Sequence, residues 1–520
     1  MRTSVKIIVA VSALVFTSPA LAEWWRAESD HFVVFSEGKQ QEALELAQRM
    51  ERVDMAMRAM QNMPKDEDPV PVTIFRFGDT DDIGRLAGSR GVAGFYRPSS
   101  NGAVAFIPAR KPRSRGLGAR SDDDQGLDPE IILAHEYGHH FMLQNFPANY
   151  PAWYVEAYAE VYGTVDIQPK GVFRLGLPAT HRANQFLYDE NFPAKKLFSP
   201  PSKLKPSDSR HFYSVGWLLA HYLTFTDKRP GQLTEYLKLV NGGKTSMAAA
   251  EIAFGDLEKL SQEVRKYQDT ALGAIEFVPN NFQEPVISAR KLTAAEEAAI
   301  PHVIKSSRGV TKSTASSVAE RIRSVATTYP DDKFVLDALI EAEFDAKNFT
   351  ASDAAADRAL AIDAKNSKAL LYKGMVRIEM GEKDSAQYAE ARPYLVKAFE
   401  ADNHNALSLI LNYLSYYKAG ETIPESAILG LEKGYKLSPY DPYSRILLAR
   451  QFLNERKGEL ARYVLGPLVQ DPDDEKSDRS KKEDEDDFIG RCVKYIDAGD
   501  FVNASAELTR MLDKAEEDEE

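Results

Sequence analysis

Two histidines four residues apart, His135 and His139, sit in the run HEYGHH (135–140), and a second run, WYVEAYAE (153–160), follows closely. A spacing of four puts both imidazoles on one face of a helix, one turn apart. That is what a tetrahedral zinc asks of two nitrogen ligands. Glu136 lies between them, where a carboxylate can act as a general base toward water. Glu156 and Glu160 in the second run are also four apart and share a face. The two runs together read as a metal site if two helices cross with these faces together.

The boundaries of the two helices are written locally. Asp128 is a helix N-cap and Pro129 fits the first helical position, where its missing N–H costs nothing. This predicts a helix over 129–145 that breaks before Pro147. A second helix follows Pro151, and if its Glu156/Glu160 face meets the first helix, Glu156 supplies the third metal ligand. Glu160, one turn on, would orient a ligand histidine from behind. His140 points away from the His135/His139 face and reads as scaffold.

HExxH followed by W-x-x-E-x-x-A-E resembles the gluzincins, the thermolysin-like clan of zinc metallopeptidases, over the chain up to about position 270. The resemblance implies an α+β zincin-like domain with one Zn2+ on His135, His139 and Glu156, and Glu136 as general base. The interval from His139 to Glu156 is a little shorter than in thermolysin itself, and Ala157 stands where many bacterial relatives have Gly. The run YSVGWLLAHYL (213–223) is similar to the helix after the active site in that clan, and AFGDLEKL (253–260) to its closing helical segment. By the same resemblance Tyr213, or else His211, would stabilise the oxyanion. Both also read as structural residues.

The chain has 520 residues, enough at about 100–200 per domain for two to four units. Its formal net charge of −13 argues against nucleic acid as a partner. Arg2 and Lys6, the apolar run 7–16 and Ala20-Leu21-Ala22 read as a signal peptide over 1–22, cleaved before Glu23. No Cys follows the apolar run, which argues against a lipid anchor. No later apolar run approaches the ~20 residues of a membrane span. The single cysteine, Cys492, cannot form an internal disulfide. A secreted, periplasmic setting is expected.

A metallopeptidase-type domain is expected over 23–275, with a strand at 31–36, a helix at 39–63, a strand at 69–78 and a short helix at 79–88. The methionines of the 39–63 helix recur at helical spacing and read as core. VAGFYRPSSNGAVAFIPA (92–109) predicts a β-hairpin turning at Ser-Ser-Asn-Gly. Its second strand reads either as an exposed edge that could hold an extended peptide or as an ordinary sheet strand. The segment 110–127 forms a loop with five basic side chains (Arg110, Lys111, Arg113, Arg115 and Arg120), suited to steering a substrate or to simple solvation.

A Pro/Asn-rich linker is expected over 276–310. Beyond it RALAIDAKN (358–366) aligns with KAFEADNHN (397–405) at an offset of 39 and with KGYKLSPYD at 75. Pro330, Ala364, Asn403, Pro439 and Pro472 mark unit ends spaced 34, 39, 36 and 33. Small residues (Ala342, Gly374, Ala398) fall where paired helices would cross. This resembles the tetratricopeptide repeat, whose unit is a helix–turn–helix of similar length, with a generic helical repeat as the alternative. An all-α solenoid over 311–475 is expected, its concave face suited to a peptide or partner protein. A charged loop (476–487) and a last helix pair burying Cys492 (488–520, with an acidic tail) complete the chain.

The expectation is a periplasmic zinc metallopeptidase acting on peptide or protein substrates, with a repeat solenoid that selects substrate or partner. The alternatives are a catalytically idle zinc-domain scaffold and a zinc amidase acting on cell-wall bonds.

Overall fold

The alternation in HFVVFS is divided between two faces of one strand. In a computed structural model describing residues 23–78, 80–88, 92, 94–110, 128–178, 195–199, 206–280, 282–469 and 487–519, this run is β2 (Phe32–Glu37). Phe32 and Val34 enter one hydrophobic core and Phe35 another, as period-two side chains must. β3 (Val72–Arg76) and β5 (Val104–Ile107) divide in the same way: Ile74 and Ala105 face the first core, Phe75 and Phe106 the second. The segment 1–22 expected as a signal peptide, the basic side chains from 111 to 127 and the charged stretch 470–486 lie outside the described residues.

With β1 (Trp24–Glu28), β4 (Phe95–Arg97) and β9 (Ser288–Lys291) these strands form one sheet in the order β4-β5-β3-β2-β1-β9. β2, β3 and β5 run parallel, and the outer pairings are antiparallel. The hairpin turns at Ser99–Gly102, where Gly102 has φ +110° and its N–H donates to the Ser99 carbonyl at 3.0 Å. β5 is not an exposed edge: it lies between β4 and β3, and the short β4 forms the edge. On the first face pack α1 (Gln40–Met60) and α3 (Pro129–Asn145), where Met50 and Met57 are fully buried core. On the second face the rings of Phe35, Phe75, Phe106 and Phe95 stack across the strands at 4.7–5.5 Å. They meet α2 (Thr80–Ala87) and Ile300 and Ile304 of α10 (Ala294–Arg308).

The second metal-type run is α4 (Ala152–Gly163). A small antiparallel sheet follows, of β6 (Asp166–Gln168), β7 (Val172–Leu175) and β8 (Ile275–Phe277). Between β7 and β8 come α5 (Lys195–Phe198), α6 (Pro206–Phe225), α7 (Gln232–Asn241), α8 (Ser246–Phe254) and α9 (Leu257–Gln268). The stretch expected as a linker is built into the fold instead. β8 pairs with β7, β9 pairs with β1, and α10 seals the second face of the sheet.

The rest is helical and repeat-like: α11 (Lys312–Thr328), α12 (Lys333–Asp345), α13 (Phe349–Ile362), α14 (Ser367–Gly381), α15 (Ala386–Ala401), α16 (Ala406–Lys418), α17 (Glu425–Leu437), α18 (Pro442–Asn454), α19 (Gly458–Val469), α20 (Phe488–Asp497) and α21 (Phe501–Glu519). Pro330, Ala364, Asn403 and Pro439 each fall just beyond a helix end, at the expected phase. A Cβ on Gly374 would lie 2.4 Å from Leu395, so this glycine lets α14 and α15 cross closely. Cys492 is buried in the last helix pair.

Behind α3, in the first core, is a buried polar network. His31 Nδ1 lies 2.9 Å from Glu51 Oε2 and its Nε2 lies 3.5 Å from Asp54. Asp54 also accepts from Arg58 at 2.7 Å and from the Tyr137 hydroxyl at 2.8 Å. Burial alone would depress the His31 pKa, but the Glu51 hydrogen bond and the charges of Asp54 and Glu51 raise it above 6.5. Burial opposes ionisation of Glu51 as well, and His31 still holds that carboxyl below its usual range. A raised histidine stabilises the fold below its unfolded pKa and loses that effect as pH rises through its folded pKa; a depressed carboxyl does the reverse. The pair therefore contributes most between about pH 4.5 and 6.5. His31→Gln is expected to cost about 3 kcal/mol at pH 6 and less at pH 9.5, read by urea unfolding at both. Equal costs at the two pH values would contradict the ion pair.

Candidate metal centre

α3 starts where its sequence dictates: Asp128 accepts from the Glu130 N–H at 3.0 Å, and Pro129 occupies the first turn. One turn apart on this helix, the His135 and His139 rings lie 4.8 Å apart at 84°, with their Nε2 atoms 3.2 Å apart. Glu156 comes from α4 and is 5% exposed. Its Oε2 lies 3.5 Å from His135 Nε2 and its Oε1 lies 3.8 Å from His139 Nε2. A tetrahedral ion with ligands at about 2.0–2.1 Å has ligand–ligand edges of about 3.3–3.4 Å. The two imidazole nitrogens and the nearer carboxylate oxygen of each contact therefore stand at separations close to those edges, and one ligand atom from each residue lies within 4.8 Å of the others. Two imidazoles and a carboxylate are also a donor set that zinc accepts.

The approach of α4 to α3 depends on small residues. A Cβ on Gly138 would lie 2.9 Å from the Cα of Ala159. At the far end of α4, Gly163 faces the His135 Cβ. The start of α4 is held by Trp153, which is fully buried and whose indole N–H donates to the Tyr236 hydroxyl at 3.0 Å. Against the Trp153 carbonyl packs Gly216 of α6.

The site is acidic behind its histidines. Glu160 is 2% exposed, with Oε1 3.6 Å from His135 Nδ1, the nitrogen turned away from the other donors. Burial would lower the His135 pKa, but the contact with Glu156 and the charges of Glu160, Glu156 and Glu136 push it up to about 9. Burial opposes ionisation of Glu156, yet His139 and His135 hold that carboxyl below its usual range. Glu136, next to His135 on α3, is half-buried, and its charge acts on both His135 and the Tyr96 hydroxyl.

Among the described residues, His135, His139 and Glu156 form the one cluster of metal-type ligands. Tyr213 is half-buried on α6, on the face that carries Gly216, with its ring beside Phe212. The side chain of His211 lies outside the described residues. His140 is scaffold: it is buried, its Nδ1 shares a 2.6 Å hydrogen bond with the Tyr96 hydroxyl, and burial pushes its pKa down to about 3.

Sequence reasoning missed three residues around this helix. Tyr137, a variable position of the motif, ties α3 to Asp54 of α1. Tyr96 of β4 reaches His140 across the sheet edge. Tyr440, from the repeats, places its ring 4.7 Å from His140. Only Tyr137 had a local signal, its place inside the motif. No protein-family model and no curated protein matches the chain, so the site is read from its own chemistry.

Gly138→Ala gains about 1 kcal/mol of helix propensity and forces α4 outward. The overpacking outweighs that gain, so the expected outcome is a net loss of about 1–2 kcal/mol of stability, read by urea unfolding, and about a tenfold weaker hold on added zinc, measured by chelator competition. Wild-type affinity would contradict the close crossing as the source of the ligand geometry.

Proposed function

We propose that this chain is a zinc-dependent metallopeptidase of gluzincin type, with a zincin-like first domain and a tetratricopeptide-like region that binds polypeptide. The observation that carries this reading is the convergence of His135, His139 and Glu156, with the two Nε2 atoms 3.2 Å apart, one Glu156 oxygen 3.5 Å from His135 Nε2 and the other 3.8 Å from His139 Nε2. Glu160 behind His135 Nδ1 supports it, because a carboxylate at the far nitrogen leaves Nε2 free to ligate. When bound, zinc supplies a Lewis acid that polarises a carbonyl and lowers the pKa of water to about 7.

The residues of the chain do the rest. Glu136 takes the proton from the attacking water and delivers it to the leaving amine nitrogen. Glu160 keeps the His135 ring in one orientation through Nδ1. A hydrogen-bond donor near the tetrahedral oxygen is required, and Tyr213 is assigned that role.

A cleft supports the polypeptide part of the reading. It has a volume of about 1560 Å3 and runs between Thr73 and Val104 of the sheet and Phe344, Lys368, Leu371 and Tyr372 of the inner repeat helices. Small-molecule sites usually enclose about 300–1,000 Å3, so the space suits a longer chain. The leader-like segment 1–22 supports export, with the periplasm as the setting. No helix among the described residues is long and apolar enough to cross a membrane.

Glu136→Gln is expected to keep its zinc and lose about 10²–10⁴-fold in casein hydrolysis, with a chelator abolishing wild-type activity. Retained zinc with unchanged hydrolysis would remove the general base.

A further inference from the structure

The connection between α17 and α18, Ser438-Pro439-Tyr440-Asp441, belongs to the repeats by sequence, yet its tyrosine is packed elsewhere. Tyr440 is 3% exposed and sits among the buried side chains of the first domain's main core. Its ring lies 4.7 Å from His140, which stacks at 5.5 Å on Tyr137 and hydrogen-bonds Tyr96. His140 is the residue after the ligand His139 and lies on the back of the same helix.

The corner itself is rigid. Ser438 Oγ donates to the Gly434 carbonyl at 3.0 Å, and Ser444 Oγ to the Asp441 carbonyl at 3.0 Å. One oxygen of Asp441 caps α18 through the Tyr443 N–H at 3.0 Å, and the other accepts from the Ser100 N–H of the hairpin turn at 3.1 Å. The next helix braces the same site from a second side. A Cβ on Gly466 of α19 would lie 3.1 Å from Asn149, in the loop that joins α3 to α4. Both the back of one ligand helix and the link to the other therefore rest on the repeats.

We propose that Tyr440 is a positioning residue of the metal centre: from the repeats, its ring holds α3 in place through His140 and so fixes His135 and His139 relative to Glu156. The zinc part of this inference rests on the reading of the site given above, whereas the placement of α3 does not. A phenyl or phenol ring fills the space; an alanine leaves His140 without its neighbour and lets α3 shift against α4. The hydroxyl is not what positions the helix, so Tyr440→Phe retains the function.

The test uses the full chain in four forms: wild type, Tyr440→Ala, Tyr440→Phe, and Leu395→Ala, a buried change inside the repeats that serves as a stability control. Hydrogen exchange of the 129–145 segment is followed in metal-free protein, and zinc affinity by chelator competition. Tyr440→Ala is expected to speed α3 exchange and to weaken zinc about tenfold, while Tyr440→Phe and Leu395→Ala stay within about twofold of wild type. The proposal is overturned if α3 exchange in Tyr440→Ala matches wild type, or if Leu395→Ala changes exchange and affinity as much. Absence of zinc binding in wild type, with α3 loosened only in Tyr440→Ala, overturns the metal reading and leaves the positioning role standing.

Discussion

Two buried carboxylates and two partly exposed imidazoles meet between α3 and α4, and the surrounding structure depends on how their charge is balanced. Glu156 and Glu160 are 5% and 2% exposed. Buried carboxylates are costly without a positive partner. Against the effect of burial, the charges of these carboxylates favour a proton on His135 and push its pKa up to about 9. A divalent cation bound by the three converging donors meets the same need with more charge, and would displace that proton. The close crossing at Gly138 and Ala159 is what makes either solution possible, because it brings the α4 carboxylates to the α3 histidines.

The interactions that hold α3 come from three distant parts of the chain. Asp54 of α1 grips it through Tyr137, Tyr96 of β4 through His140, and Tyr440 of the repeats through the same histidine. The repeats are thus docked on the first domain rather than trailing from it. A further contact joins the two parts: His404 Nε2 lies 2.9 Å from Asp68. The inner repeat helices face the sheet across the cleft, so a polypeptide bound there would touch both.

How far the sequence reveals this depends on whether the signal is local. The α3 helix runs from Pro129 to Asn145 as its cap and its terminating proline dictate. The repeat phase is readable from the spacing of Pro330, Ala364, Asn403 and Pro439. The stretch 276–310 reads as a linker because β9, Ser-Ala-Arg-Lys, is a polar edge strand with no alternation, and its partner β1 lies at the far end of the domain's sequence. β5 offers an edge only while its parallel pairing to β3 is unseen, and such pairing is non-local. Tyr440 is a single aromatic in a repeat turn, and nothing near it in the chain marks it as a neighbour of His140. The HExxH-plus-Glu pattern is readable because all three donors lie close together in the chain, on two consecutive helices.

Zinc K-edge X-ray absorption of the purified full-length protein examines this charge balance at its source. One zinc per chain is expected, with four nitrogen or oxygen ligands at about 2.0–2.1 Å and the outer scattering of two imidazoles. No stoichiometric zinc, or a zinc lacking histidine scattering, would contradict a metal centre at His135, His139 and Glu156.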